Sequence, residues 1–220
     1  MQAEFWRNRW VDNEIGWHQD AANGLLQKYW NQVTDGKSGT VLVPLCGKSL
    51  DMVWLAEQGH KVIGVELSEV AVEAFFRENQ LEGIWEERAG FRVMQAGPYS
   101  IYCGDFFETS PEILGTIDFV YDRAAHIALP ESVRSRYAKH LSELVSQRTR
   151  ALLLTVEYDQ SRRDGPPFSV PGREIEKNFS SKFQIETLSH NEIIDIKPKY
   201  KEWGLDSLME RASLLQVGES

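Results

Sequence analysis

Between Thr40 and Phe76 the chain passes twice through one unit, a short apolar strand followed by an amphipathic helix, and few folds accept that order. Thr40 to Val43 is a β-branched run entered from the break Asp35-Gly36-Lys37-Ser38-Gly39. Ser49 then stands ahead of Leu50, Met52, Val53, Leu55 and Ala56, a helical pattern that stops at Gly59, where a left-handed cap costs little. Lys61 to Leu67 supplies the second strand, and Ser68 caps a second helix carrying Val70, Val72, Phe75 and Phe76. The alternation predicts an α/β chain with a mostly parallel, doubly wound sheet.

The flanks extend this reading. Phe5, Trp6 and Trp10 share one face of an N-terminal helix. Leu25, Leu26, Tyr29, Trp30 and Val33 mark another, with a loop over Asn13 to Asp20 between them. Phe91 to Gln95 and Tyr99 to Tyr102 flank Ala96-Gly97-Pro98 as a hairpin whose second arm enters the main sheet. Ile117 to Tyr121 is a strand, Pro130 opens a helix bearing Val133, Tyr137, Leu141 and Leu144, and Ala151 to Val156 is the next strand. Beyond a long loop over Tyr158 to Pro171, a short helix at Glu174 to Phe179, a strand at Phe183 to Leu188 and an antiparallel closing strand at Ser207 to Val217 complete the chain. No linker or repeat divides residues 1–220, so one domain is expected.

Charge and cysteine content narrow the function. The net charge of −9, without a basic run or stripe, argues against a nucleic-acid partner. No stretch reaches the roughly 20 apolar residues of a membrane span, and Glu4, Trp6, Arg7 and Arg9 do not read as a signal sequence, so no membrane partner and a cytoplasmic location are expected. A monomer is the default. Cys46 and Cys103 are too few for a disulfide framework, lack zinc spacing, and read as packing residues.

The chemistry gathers where strands end. After the first strand, Gly47 in VLVPLCGKSLD permits close backbone approach, and the helix start near Ser49 is expected to offer free N–H groups to a polar or anionic ligand. Nineteen residues after Gly47, Glu66 closes the second strand at the spacing that puts an acid on ribose hydroxyls. The motifs YCGDFF and YDRAAHIALP end the next two strands, on the sheet edge where α/β proteins bind ligands. Pro44, Cys46 and Ser49 stand where a dinucleotide site needs a glycine-rich cradle, which predicts a ligand with ribose and adenine but no pyrophosphate. S-adenosyl-L-methionine has that composition.

The same residues resemble a known family. FWRNRW at Phe5 to Trp10, IGWHQ at Ile15 to Gln19, VLVPLCGKSLDMVWLA at Val41 to Ala56, GVELS, YDRAA and GPPFSVP at Gly165 to Pro171 are similar to the thiopurine S-methyltransferases, over nearly the whole chain. The resemblance implies a Rossmann-like, seven-stranded class I methyltransferase sheet with an antiparallel C-terminal strand, and residues 1–38 as a helical cover over the active site. It implies cofactor contacts from Trp10, Leu45, Gly47, Glu66, Leu67 and Arg123, with the Gly104 and Asp105 turn beside the adenine. It places Trp17, His18, Pro167 and Phe168 over the acceptor pocket. Lys199 in PKYKEWGLDSL stands where mammalian members carry a substrate-facing arginine, and lysine cannot reproduce a planar bidentate contact. The implied acceptor is a thiopurine-like molecule or another small thiol, selenium or tellurium compound.

Blander readings stand beside these. Trp10 either faces the sulfonium, a contact worth about 0.5 to 2 kcal/mol, or anchors its helix. Arg123 either holds the cofactor carboxylate or polarises the acceptor, or else forms a surface pair with Asp122. His18 is either a base or a packing residue, and no catalytic side chain is assigned. Asp118, Asp122 and Asp159 would hold a magnesium ion only as strand-end aspartates at the right geometry, and no metal is expected. The rival functions are a nicotinamide-dependent oxidoreductase and a non-catalytic S-adenosylmethionine-binding module.

Overall fold

The computed structural model describes residues 3–218, so residues 1–2 and 219–220, the extremes of the expected 1–220 domain, lie outside them. The chain forms two compact units, residues 1–121 and 122–220.

The first unit opens with α1 (Ala3–Val11) and α2 (Gly24–Thr34). Asn23 caps α2, its side chain accepting from the amides of Leu25 and Leu26, and Leu26, Trp30 and Val33 bury the face that the helical spacing marked. Then follow β1 (Thr40–Pro44), α3 (Asp51–Glu57), β2 (Lys61–Glu66), α4 (Glu69–Glu78), β3 (Ile84–Arg88), β4 (Phe91–Ala96), β5 (Tyr99–Cys103), α5 (Pro111–Leu114) and β6 (Phe119–Asp122). The strand order is β3-β4-β5-β2-β1-β6. Pairs β5/β2, β2/β1 and β1/β6 are parallel, whereas β3/β4 and β4/β5 are antiparallel. The expected hairpin is present, with Ala96 opposite Tyr99 and β5 entering the parallel core beside β2. β3 was not anticipated: its burial is slight, as befits an edge strand.

Two helix starts differ from expectation. Ser68 precedes α4 but makes no side-chain cap; its own amide donates to Glu66 Oε1 instead. α3 begins at Asp51, whose amide donates to Ser49 Oγ at 3.2 Å. Gly59 ends that segment with φ +85°, the left-handed geometry expected of it.

The second unit contains α6 (Ala125–Ala128), α7 (Glu131–Leu144), β7 (Arg150–Glu157), α8 (Gly172–Phe179), β8 (Phe183–Glu192), α9 (Pro198–Glu202) and β9 (Met209–Val217). β9 runs antiparallel to both β7 and β8, so the closing strand has the predicted sense. β7 is buried at every position from Ala151 to Val156, as its unbroken apolar sequence requires. The described residues form nine strands, two more than the seven that the resemblance implies, the additions being β3 and the hairpin arm β4. Among the described residues no helix is long and apolar enough to cross a membrane.

Candidate active site

In the first unit the ends of β1, β2 and β5 meet around Glu66. Its carboxylate accepts from the amide of Gly47 (Oε2, 2.8 Å) and from that of Ser68 (Oε1, 2.8 Å). Gly104, just past β5, donates its amide to the Glu66 carbonyl at 2.9 Å. Burial pushes the Glu66 carboxyl above the usual carboxylate range, while the amides of Ser68, Gly47 and Leu67 favour the charged form and pull it back. The Gly47 and Ser68 amides use two of the roughly four lone-pair positions on the carboxylate, which leaves room for ligand hydroxyls.

The expectation of free N–H groups at the first strand-to-helix junction holds for the amides of Lys48 and Leu50 and not for their neighbours. Gly47 donates to Glu66, Ser49 to the Cys46 carbonyl, Asp51 to Ser49 Oγ and Met52 to the Ser49 carbonyl. The Gly47 and Asp51 amides are turned inward, toward Glu66 and Ser49 Oγ, and no glycine-rich run stands there to cradle a pyrophosphate. The nicotinamide reading loses its support here.

Trp10 closes over the same turn. A Cβ on Gly47, which has φ +54°, would lie 2.9 Å from Trp10 Cζ2, so only glycine lets the indole approach so near. Trp17 meets Trp10 edge-on at 5.8 Å and Trp6 at 5.3 Å. Leu45, half-buried, holds φ +48°, a costly conformation for a side chain branched beyond Cβ. Leu67 is half-buried beside Glu66, and Asp105 caps the short 3-10 turn Phe106–Glu108 by accepting from the Phe107 amide. His18 is half-buried, its amide bonded to the Ile15 carbonyl.

The cysteines pack as expected. A Cβ on Gly64 would meet Cys46 Sγ at 2.7 Å, and burial pushes the Cys46 thiol well up and the Cys103 thiol up to about 11. Both stay protonated and poorly nucleophilic at neutral pH.

In the second unit Asp122 is buried and accepts from the amides of Ala125 and His126 and from Tyr137 Oη (2.6 Å). Its carboxylate therefore faces the interior, not the surface pair considered for it. Arg123, half-buried, lies in the turn that these bonds fix. The turn leads into α6, where the Ile127 carbonyl accepts from the Phe168 amide at 2.7 Å. Pro167 is held from the other side, its carbonyl accepting from Tyr158 Oη at 2.6 Å. Arg123 and the Pro167-Phe168 loop are thus joined through one short helix. Lys199 is exposed on α9, its ammonium 5.2 Å from the centre of the Trp203 ring.

The three aspartates weighed for a metal serve the chain: Asp118 accepts from the Thr40 amide, Asp159 from that of Ser161, and Asp122 as above. Several polar residues escaped sequence reasoning. Asp51, 1% exposed, accepts from the Asn23 amide (2.7 Å) and Tyr121 Oη (3.0 Å), tying the loop before α2 to α3 and β6. An acid inside the apolar run SLDMVWL was the available signal. Arg134, buried with Glu174 at 2.5 and 2.8 Å, and the fully buried His126 carried none.

Comparison with known proteins decides the family. The pattern described as thiopurine S-methyltransferase matches residues 1–218. A thiopurine S-methyltransferase of Pseudomonas putida is 47% identical over 211 residues, 96% of this chain and 97% of its own length. One of Bordetella petrii is 46% identical over 94% of this chain and 95% of its own. The chain belongs to the thiopurine S-methyltransferase family. It is an S-adenosylmethionine-dependent S-methyltransferase, with a mixed sheet of mostly parallel core and antiparallel edge strands. The solved 1,6-didemethyltoxoflavin-N1-methyltransferase of Burkholderia thailandensis, bound to S-adenosylhomocysteine, shares the fold of this methyltransferase, with a TM-score of 0.64 at 15% identity over 98% of this chain and 87% of that one.

Proposed function

We propose that this methyltransferase acts on thiopurines or other small thiol, selenium or tellurium compounds, as a cytoplasmic monomer. The observation that carries the cofactor half is the buried Glu66 carboxylate, pinned by two amides with lone pairs to spare. On this reading Glu66 and Leu67 hold the ribose end, Gly104 and Asp105 border the adenine, Leu45 and Gly47 shape the turn, and Trp10 faces the sulfonium. Arg123 meets the cofactor carboxylate. Trp17, His18, Pro167, Phe168 and Lys199 border the acceptor. Residues 1–38 act as a cover within a single working domain; the seating of Trp10 on Gly47 and the bond from Asn23 to Asp51 support this.

The cofactor supplies a methyl group on a positively charged sulfur. Bound there, it would give that methyl to the acceptor thiolate, its own sulfur keeping the electron pair of the broken bond. The thiol proton leaves to solvent before attack. A soft, readily ionised nucleophile needs little help from a base, so alignment is the main contribution of the protein, about 7 to 11 kcal/mol where geometry is favourable. The aromatic cover excludes water from the two reacting atoms.

Labelled S-adenosylmethionine with 6-mercaptopurine, selenite, tellurite and a catechol in parallel tests the acceptor. Label in 6-methylmercaptopurine is the expected result. Label in selenium or tellurium products alone moves the acceptor to chalcogen oxyanions, and label in the catechol alone overturns sulfur specificity.

A further inference from the structure

The loop that carries Pro167 and Phe168 also carries an arginine without a carboxylate. Arg163 is half-buried and sets its guanidinium over the Trp203 ring, with Cζ 3.3 Å from the ring centre. Its Nε is buried and has no acceptor. No ion pair is formed by Arg163 among the described residues, although its neighbour Arg162 pairs with Asp206. The carbonyl of Arg163 accepts from Gln160 Nε2, and the same side chain reaches Tyr158 Oη at 3.3 Å and, through Oε1, the Ser169 amide at 2.8 Å. Arg163 is therefore held by its backbone to the segment that fixes Pro167, while its side chain crosses to the helix of Lys199.

Trp203 serves two cations at once, Arg163 at 3.3 Å and Lys199 at 5.2 Å, and Tyr200 packs on it at 4.8 Å. The positive field of Arg163 opposes the upward push of burial on the Tyr158 and Tyr200 hydroxyls, so the guanidinium lies close to both. Of the acids nearby, Glu210 is held above the usual carboxylate range by burial, which favours its neutral form, and Asp164 is exposed. Stacking fixes the plane of a guanidinium and leaves its N–H edge for an in-plane acceptor, the geometry of a carboxylate clamp.

We infer that Arg163 selects acceptors bearing a negative charge away from the reacting sulfur: it pairs with the carboxylate of an aromatic thiol whose ring lies among Tyr158, Tyr200 and Trp203. The planar contact that Lys199 cannot make is supplied by Arg163, which shares the same indole. This inference rests on the reading of the Pro167-Phe168 loop as the acceptor border.

The test compares 4-mercaptobenzoate with the nearly isosteric, neutral 4-mercaptobenzamide, in full-length wild type and in Arg163→Gln, Arg163→Lys and Arg162→Gln. Losing a charge-assisted bidentate pair raises KM for the benzoate about 10- to 100-fold more than for the benzamide, with kcat for the benzoate altered less than KM. Lysine at 163 recovers only part of the loss, and Arg162→Gln moves neither KM. An unchanged benzoate-to-benzamide ratio in Arg163→Gln overturns the inference. Calorimetric titration of 4-mercaptobenzoate into wild type and Arg163→Gln, both with S-adenosylhomocysteine, separates the two readings. No transfer to either thiol overturns the acceptor reading alone, and equal dissociation constants overturn the role of Arg163 whether or not transfer occurs.

Discussion

Two buried carboxylates end two strands of the protein, and they are satisfied in different ways. Glu66, at the end of β2, is gripped by amides of two adjoining loops and by no side chain. Asp122, at the end of β6, takes two amides from the start of α6 and the phenol of Tyr137 on α7. Both are pushed toward neutrality by burial, Asp122 to about 6. Amides hold a carboxylate without covering it, so Glu66 keeps a face for a ligand. A phenol at 2.6 Å covers one face and anchors Asp122 to a long helix. On the proposed reading the first carboxylate binds the cofactor, while the second holds the turn that carries Arg123.

The sharpest way to break this comparison is to remove each acid and read cofactor affinity. Glu66→Ala takes a charged acceptor from the ribose hydroxyls, and the dissociation constant of S-adenosylhomocysteine rises about 100-fold, two hydrogen bonds to a charged group at about 1.5 kcal/mol each. Asp122→Asn keeps an oxygen for the α6 amides and shifts that constant by less than about 5-fold. Calorimetry on both variants reads the contrast directly. Equal losses would mean that both acids touch the cofactor or that neither does.

What was legible in advance follows the same division between local and distant causes. The strands β1, β2 and β7 and the helices α2, α4 and α7 announce themselves through periodicity, because burial on one face is written into consecutive residues. Glu66 was legible because its partner Gly47 belongs to a spacing set by one strand-loop-helix unit. β3 was not, since IWEER buries almost nothing and takes its conformation from pairing with β4. Nor was the stacking of Arg163 on Trp203, which joins a loop to the end of a helix beyond the next strand. The inward turn of the Gly47 and Asp51 amides escaped too, because a helix start looks alike in sequence whether its N–H groups face a ligand or the chain itself.

A second contrast lies in pH. The Asp122 carboxyl rises from 3.8 to about 6 on folding, so the folded state binds its proton more tightly than the unfolded chain. The stability this confers is complete below pH 3.8 and is lost as pH rises through about 6, a change of about 3 kcal/mol. Asn at 122 has no such titration. The unfolding free energy of wild type, measured by urea between pH 4 and pH 7, therefore falls relative to that of Asp122→Asn across this window. A constant difference would show that hydrogen bonds from Tyr137 and the α6 amides outweigh burial at this site.

The smallest effect at neutral pH concerns His126, whose amide serves Asp122 while its ring serves nothing. The ring is fully buried between Tyr137 and Phe179, and neither nitrogen has a partner. Burial pushes its pKa from 6.5 down to about 3, with a lesser contribution from the Arg134 cation. Here the unfolded chain binds the proton more readily, so this group removes stability as pH falls below 6.5 toward about 3, opposite in sign to Asp122. His126→Leu keeps the amide on Asp122 and replaces two unsatisfied polar atoms with apolar surface, a gain of about 1 kcal/mol at pH 7. The gain grows by up to about 1.4 kcal/mol for each pH unit below 6.5. Thermal unfolding of the variant at pH 7 and pH 5 measures both parts. A loss of stability at pH 7 would mean that the ring packs better than leucine can, and an advantage that does not grow at pH 5 would mean that the imidazole is already charged in the folded protein.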